Sequence, residues 1–208
     1  MTVARRITVE TQRVAQARSP VAGRRVALLC VALALCGVNA AATPADEAAG
    51  WDALRKGAIV LFRHANAPGT GDPAAFVLGD CATQRNLDDT GRAQARRIGQ
   101  RLRSERIVVG AVWSSQWCRA RETAELLALG PVREVAAFNS FFADRAGEPA
   151  QTAAARSLLL SWREPAALVV ATHQVNIVAL AGIAPRSGEG TVLRKRGGQL
   201  VVVGRIAP

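Results

Sequence analysis

Ala58-Ile59-Val60-Leu61-Phe62-Arg63-His64-Ala65-Asn66 joins a short apolar run to an arginine, a histidine and a turn. A run of this kind, bounded by turn-forming residues, reads as an interior strand covered on both faces, as in a parallel sheet. The pattern recurs at Ala167-Leu168-Val169-Val170-Ala171, which closes on Thr172-His173-Gln174-Val175-Asn176. His64 and His173 are the two histidines of the 208-residue chain. Each therefore stands just past a strand, where open α/β sheets bind their ligands.

Outward from these runs, strands and helices alternate. Trp51 to Gly57 reads as a short helix stopped by glycine. Residues 65–86 are rich in Gly, Pro, Asp and Asn and predict a long loop, a feature usually tied to function. A helix is predicted from Leu87-Asp88-Asp89-Thr90-Gly91 to about Ser104, capped by Asp88 or Thr90, with Ala95, Ile98 and Leu102 on its apolar face. A strand over Val108–Trp113 leads through Ser114-Ser115 into a helix over Cys118–Leu129, closed by Gly130-Pro131. Residues 131–135 suggest a short strand, 139–150 a polar loop, and Gln151–Trp162 a helix. Gln174–Ala181 should be a helix stopped by Gly182, and Thr191–Arg205 a hairpin about Gly197-Gly198. The expected fold class is α/β: a three-layer α/β/α sandwich on a mostly parallel mixed sheet with an antiparallel end.

The N-terminal segment reads differently. Residues 1–25 hold six arginines against one acid, and an apolar run from Val26 to Val38 follows, too short to span a bilayer. Small residues then lead to Ala42. A basic stretch, a short apolar core and small residues make a cleavable export signal. The expected domains are thus a signal peptide over 1–42, cut after Ala42 with Ala45 as second choice, and one folded domain over 43–208. An uncleaved anchor or an N-terminal core helix is the alternative. The expected location is periplasmic or secreted, with no membrane span left after cleavage.

Removing that segment takes six of the 27 basic and one of the 16 acidic residues, so the net charge falls from +11 to about +6. What remains could attract anionic substrates or simply solvate the surface. No basic stripe interleaved with aromatics suggests nucleic-acid binding. Cys30 and Cys36 leave with the signal, and Cys81 and Cys118 remain. An even count in an exported chain suggests a disulfide, against the alternative of two buried thiols. It would close a loop of about 38 residues and contribute roughly 3–4 kcal/mol.

Three strand ends thus offer Arg63-His64, the Ser114–Arg119 turn and Thr172-His173. Arginine forks match phosphate oxygens in two-pronged fashion, and helix starts near residues 117 and 174 add backbone donors. A neutral imidazole can attack phosphorus, and positive groups around the equatorial oxygens favour phosphoryl transfer.

These residues resemble the histidine phosphatase superfamily, with its phosphoglycerate-mutase-like fold. Arg63-His64-Ala65-Asn66 is similar to its Arg-His-Gly motif, with alanine for glycine. Ser114 through Ala124 is similar to its Ser-Pro-x-x-Arg-Ala-x-x-Thr-Ala segment without the proline, and Leu87 through Gly91 with Gln94-Ala95 to its Leu-Thr-x-x-Gly-x-x-Gln-Ala helix start. Thr172-His173 resembles the second-histidine segment. The resemblance covers about residues 57–205. It implies that His64 is the nucleophile that becomes phosphohistidine, that Arg63 and Arg119 bind the phosphoryl group, and that His173 stabilises the transferring oxygens. It implies no metal and no organic cofactor.

Asn66 could line the pocket or cap a turn, and Arg85 could meet a substrate anion or face solvent. The general acid has no clear position. One branch of the family carries Asp directly after the second histidine, where this chain has Gln174; the other uses a Glu in a loop after the Arg119 segment. Asp144, Glu148 and Glu189 are the candidates. If none reaches the leaving oxygen, good leaving groups such as acyl, phosphohistidine or anomeric sugar phosphates are favoured. The expected activity is an exported phosphatase acting on a small-molecule or envelope-linked phosphate ester, such as a cell-envelope sugar phosphate. Export weighs against a mutase and against a phosphohistidine-protein phosphatase. The rival is an inactive phosphate-binding module of the same fold.

Overall fold

In the computed structural model, which describes residues 42–163 and 165–207, the apolar runs form the strands of one sheet. In chain order the elements are α1 (Pro44–Arg55), β1 (Ile59–Arg63), α2 (Asp89–Ser104), β2 (Val109–Ser114), α3 (Cys118–Leu127) and β3 (Val132–Glu134). Then come α4 (Glu148–Ser161), β4 (Ala167–Thr172), α5 (Gln174–Ala181), β5 (Gly190–Arg196) and β6 (Gln199–Ile206). The sheet order is β3-β2-β4-β1-β5-β6. The β3, β2, β4 and β1 neighbours pair in parallel, and β5 and β6 close the far side antiparallel.

Alternation along each strand divides the core into two layers. Val60 and Phe62 of β1 and Val169 and Ala171 of β4 meet Leu54 of α1, Ile98 and Leu102 of α2, and Leu127 of α3. The intervening Ile59, Leu61, Leu168 and Val170 meet Leu159 of α4 and Ile177 and Leu180 of α5. Helices therefore cover both faces, which explains why β1 and β4 carry no polar alternation. Each fully buried side chain of this size contributes about 1.5–3 kcal/mol.

Helix ends depart from the expected bounds for local reasons. The first helix starts at Pro44, well before Trp51, because Thr43 and Asp46 form a reciprocal capping box and Pro44 suits the first turn. The third ends at Leu127, two residues early, where Ala128 turns left-handed (φ 51°). The fourth begins at Glu148, inside the expected polar loop, with a proline in its first turn. The second is capped by Asp88 as expected, its Oδ1 accepting from Gly91 N at 2.6 Å. Glycine is required at 91, because a Cβ there would lie 2.1 Å from the Asn66 carbonyl oxygen.

The expected signal peptide lies outside the described residues except for Ala42. Among the described residues, no helix is long and apolar enough to cross a membrane.

Candidate active site

Register brings the chemistry together. Arg63 pairs with Thr172 at the ends of β1 and β4, and Ser114 with Ala171 at the ends of β2 and β4. The ladder continues one residue further: His64 N donates to Thr172 O at 2.9 Å, and Ser115 N to Ala171 O at 3.0 Å. His64 and His173 emerge side by side, their ring centroids 5.5 Å apart. Thr123 ties α3 to the same point: its hydroxyl donates to Arg119 O at 2.6 Å and accepts from Ala65 N at 3.0 Å.

His64, Arg119 and His173 are buried. With Arg63 and Arg85 they line the inner end of a cavity of about 300 Å³, while Gly69–Gly71, Phe142, Arg145 and Val178 stand further along its lining. Nδ1–H of His64 donates to Ala65 O at 2.8 Å, which leaves Nε2 with its lone pair. His173 Nε2 lies 2.9 Å from Ser115 Oγ, a shorter contact than the 3.3 Å between that hydroxyl and Asn139 Oδ1.

Burial and the surrounding guanidinium groups hold both imidazoles neutral. His64 is lowered to about 3, chiefly by desolvation and then by Arg119. His173 is lowered well below the usual range, by desolvation and then by His64 and Arg119. Desolvation and the Arg119 charge also lower Arg63 and Arg85. Nε of Arg63 and Nε of Arg119 are buried without a hydrogen-bond partner among the described residues. Buried donors of this kind, inside a cluster of cations, suit a bound oxyanion.

The other candidate residues divide between the cavity and structural posts. Asn66 stays out of the cavity: its amide donates to Asp88 Oδ2 at 2.8 Å and so braces the cap of α2. None of the three acid candidates lines the cavity. Asp144 caps the turn Arg145–Gly147 by accepting from Ala146 N at 3.1 Å. Glu148 opens α4 and pairs with Arg145 at 3.4 Å. Glu189 is fully buried, bound to Arg205 of β6 and to Arg186 N at 3.0 Å. Arg85 does face the cavity, held by Gly71 O at 2.7 Å and by Ala67 O. Cys81 and Cys118 form a disulfide.

Three features were not singled out by the sequence. Asp72, in the long loop, grips Arg119 through two hydrogen bonds of 2.6 and 3.0 Å. Ser115 orients His173, although its place after β2 could have suggested a polar role. Phe142 sits in a stretch with no periodicity. Among the described residues, no group of three or more His, Cys, Asp or Glu side chains is placed to hold a metal ion.

The family model for the histidine phosphatase superfamily (branch 1) matches residues 59–155, from β1 into α4. Over this stretch the chain matches the histidine phosphatase superfamily. Solved structures of the same fold include the protein histidine phosphatase SixA with tungstate, at 15% identity and TM-score 0.52, covering 73% of this chain and 97% of that one. Another is phosphoserine phosphatase from Entamoeba histolytica with 3-phosphoglyceric acid, at 16% identity and TM-score 0.54, covering 73% and 97%. A third is mycobacterial glucosyl-3-phosphoglycerate phosphatase Rv2419c with VO3, at 17% identity and TM-score 0.54, covering 72% and 99%. No curated protein sequence matches the chain. The chain therefore shares its fold with phosphatases whose names give different substrates, and its own side chains must carry any finer assignment.

Proposed function

We propose that the chain is an exported phosphatase that hydrolyses phosphate monoesters through a phosphohistidine on His64. The observation that carries this reading is the neutral, buried His64 ring beside Arg63 and Arg119, whose Nε–H groups lack partners among the described residues. Nε2 attacks phosphorus, the P–N bond forms, and the bond to the ester oxygen breaks with its electron pair leaving on that oxygen. Arg63, Arg85 and Arg119 hold the equatorial oxygens, and His173 supplies a further donor. Water then attacks phosphorus and the P–N bond breaks. Its pair returns to Nε2, one water proton passes to solvent, and orthophosphate leaves.

Among the described residues no carboxylate lines the cavity, so the leaving oxygen departs without a proton from one. Esters with stabilised leaving groups fit best: acyl phosphates, phosphohistidine and anomeric sugar phosphates. Export selects the last, and a cell-envelope sugar phosphate joins both arguments. Export itself is supported by the basic and apolar N-terminal segment and by the disulfide, a bond that persists in oxidising compartments. Cleavage after Ala42 would leave Thr43 free to cap α1, whereas cleavage after Ala45 would remove that cap.

The missing carboxylate also favours one rival, a phosphate-binding module without turnover. The test offers p-nitrophenyl phosphate, glucose 1-phosphate and glucose 6-phosphate to the wild type and to His64→Ala. The proposal expects turnover, faster on the anomeric ester than on the 6-phosphate, and its loss in His64→Ala with no phosphate trapped on the protein. Binding of orthophosphate without turnover of any ester would establish the module instead. N-terminal sequencing of periplasmic material should start at Thr43; an intact Met1 would end the export reading.

A further inference from the structure

We propose that Asp72 is a positioning residue: it holds the Arg119 guanidinium against the inner end of the cavity and acts as one unit with the Cys81–Cys118 disulfide. The inference rests on the phosphatase reading above and adds a residue to it.

Asp72 is saturated as an acceptor. Its Oδ1 accepts from Arg119 Nη1 at 2.6 Å and from Arg85 N at 3.3 Å. Its Oδ2 accepts from Arg119 Nη2 at 3.0 Å and from Trp117 Nε1 at 3.0 Å. Both terminal nitrogens of Arg119 are thereby engaged, and Nε is its buried N–H left without a partner among the described residues. The two-pronged pair fixes the plane of the guanidinium, which a single contact could not do.

Asp72 does not act alone on this segment. Trp117, Cys118 and Arg119 are consecutive at the start of α3, and residues of the 65–86 loop grip each of them. Phe76 stacks on Trp117 with centroids 5.0 Å apart. Cys81 is bonded to Cys118, whose backbone N–H also donates to Gln84 Oε1 at 3.0 Å. Three guanidinium groups crowd the inner end, and the Asp72 charge partly offsets the repulsion felt by Arg85. The carboxylate is buttressed on both oxygens and does not line the cavity, so it serves as a fixed brace. A carboxylate that merely filled the phosphoryl position would have to leave on binding.

Steady-state kinetics with p-nitrophenyl phosphate should be measured for the wild type, Asp72→Asn and Asp72→Glu, each with its melting temperature. In Asp72→Asn the amide turns a donor toward Arg119 or Trp117. kcat should fall about 10- to 100-fold, the range expected when a catalytic group is misplaced by about 1 Å. KM should change much less, and orthovanadate should lose more affinity than orthophosphate. Asp72→Glu keeps the charge and should recover part of kcat. A lower KM with unchanged kcat would show that Asp72 competes with substrate, and would overturn the proposal. So would a kcat change no larger than that of an equally destabilised core variant.

If Asp72→Asn does not fold, Trp117→Phe removes one donor to Oδ2 and should lower kcat in the same direction; unchanged kcat overturns the proposal. The kcat losses of Asp72→Asn and of Cys81→Ser with Cys118→Ser should combine to less than their product, as for residues acting as a unit. A full product would refute the coupling. Should the wild type turn over no ester, the phosphatase reading fails. Calorimetric affinity for orthovanadate in the wild type and Asp72→Asn would still decide the role of Asp72, with equal affinities counting against it.

Discussion

At the inner end of the cavity, His64, Arg119 and His173 are buried and stand at the ends of strands or the start of a helix. At the mouth, Phe142 and Val178 are 48% and 44% exposed, and Arg145 lies over the Phe141 and Phe142 rings at 5.7 and 5.9 Å. The inner groups are set by sheet register and by hydrogen bonds between distant segments. The outer ones stand on a connecting segment and on the solvent side of α5. A buried frame can hold donors to within the tolerance that phosphoryl transfer needs, while an exposed rim can only adjust how the rest of a substrate is received. Chemistry and selectivity are therefore separable here, and substitutions at the two ends should differ in kind as well as size.

The largest effect is expected at the inner end. Arg119→Ala removes the buried Nε–H and takes from Asp72 its ion-pair partner, leaving only the Trp117 and Arg85 N–H donors. kcat on p-nitrophenyl phosphate should fall about 10²- to 10³-fold, the cost of removing one donor to a developing oxyanion. Arg145→Ala at the mouth should leave kcat within a few-fold. Equal losses at both positions would erase the distinction between the two ends.

Next in size is the disulfide. It closes a sequence separation of 37 residues, and its loss should lower stability by about 3–4 kcal/mol in the chain-entropy model. Measured by chemical denaturation, Cys81→Ser with Cys118→Ser should show this loss. A change below about 1 kcal/mol would mean that Asp72, Gln84 and Phe76 hold the loop without the bond.

The paired imidazoles predict the pH response of stability. His64 is near 3 in the fold and near 6.5 when unfolded, and His173 is also depressed. Between these values the unfolded chain binds more protons than the folded one, so stability is complete above pH 6.5 and falls as the pH falls. The melting temperature should drop between pH 7 and pH 4.5. His64→Gln should flatten part of that slope, and an unchanged slope would mean that His64 is not desolvated. Asp72 is depressed below the ordinary carboxylate range and so contributes little within this window.

How much of this could be read from the chain follows the same division. β1 and β4 were legible because both faces are covered, which leaves unbroken apolar runs. His64, Arg63, Arg119 and His173 were legible because they stand at the ends of such runs or in a motif beside one. Helix starts were less so: Thr43 and Gly147 act through local hydrogen bonding or backbone shape, which no period announces. The acid candidates stand away from the cavity for a related reason. Glu189 looked free in a glycine-rich turn, yet Arg205 arrives from β6 to neutralise it. Asp72 was invisible because its partners lie some 45 residues further along the chain.

The smallest effect, and the sharpest probe of the contrast, belongs to the rim. Phe142 offers an exposed aromatic face beside the cavity, and Val175 and Val178 supply further apolar surface. Burying part of such a surface against a substrate is worth about 1 kcal/mol for some 40 Å². Phe142→Ala should therefore raise KM for an ester with an apolar or ring-shaped leaving group about 3- to 10-fold and leave kcat nearly unchanged. For acetyl phosphate, whose leaving group is too small to reach the rim, the same substitution should change neither constant. A kcat loss shared by both substrates would show that Phe142 supports the inner groups after all, and the two ends would have to be treated as one site.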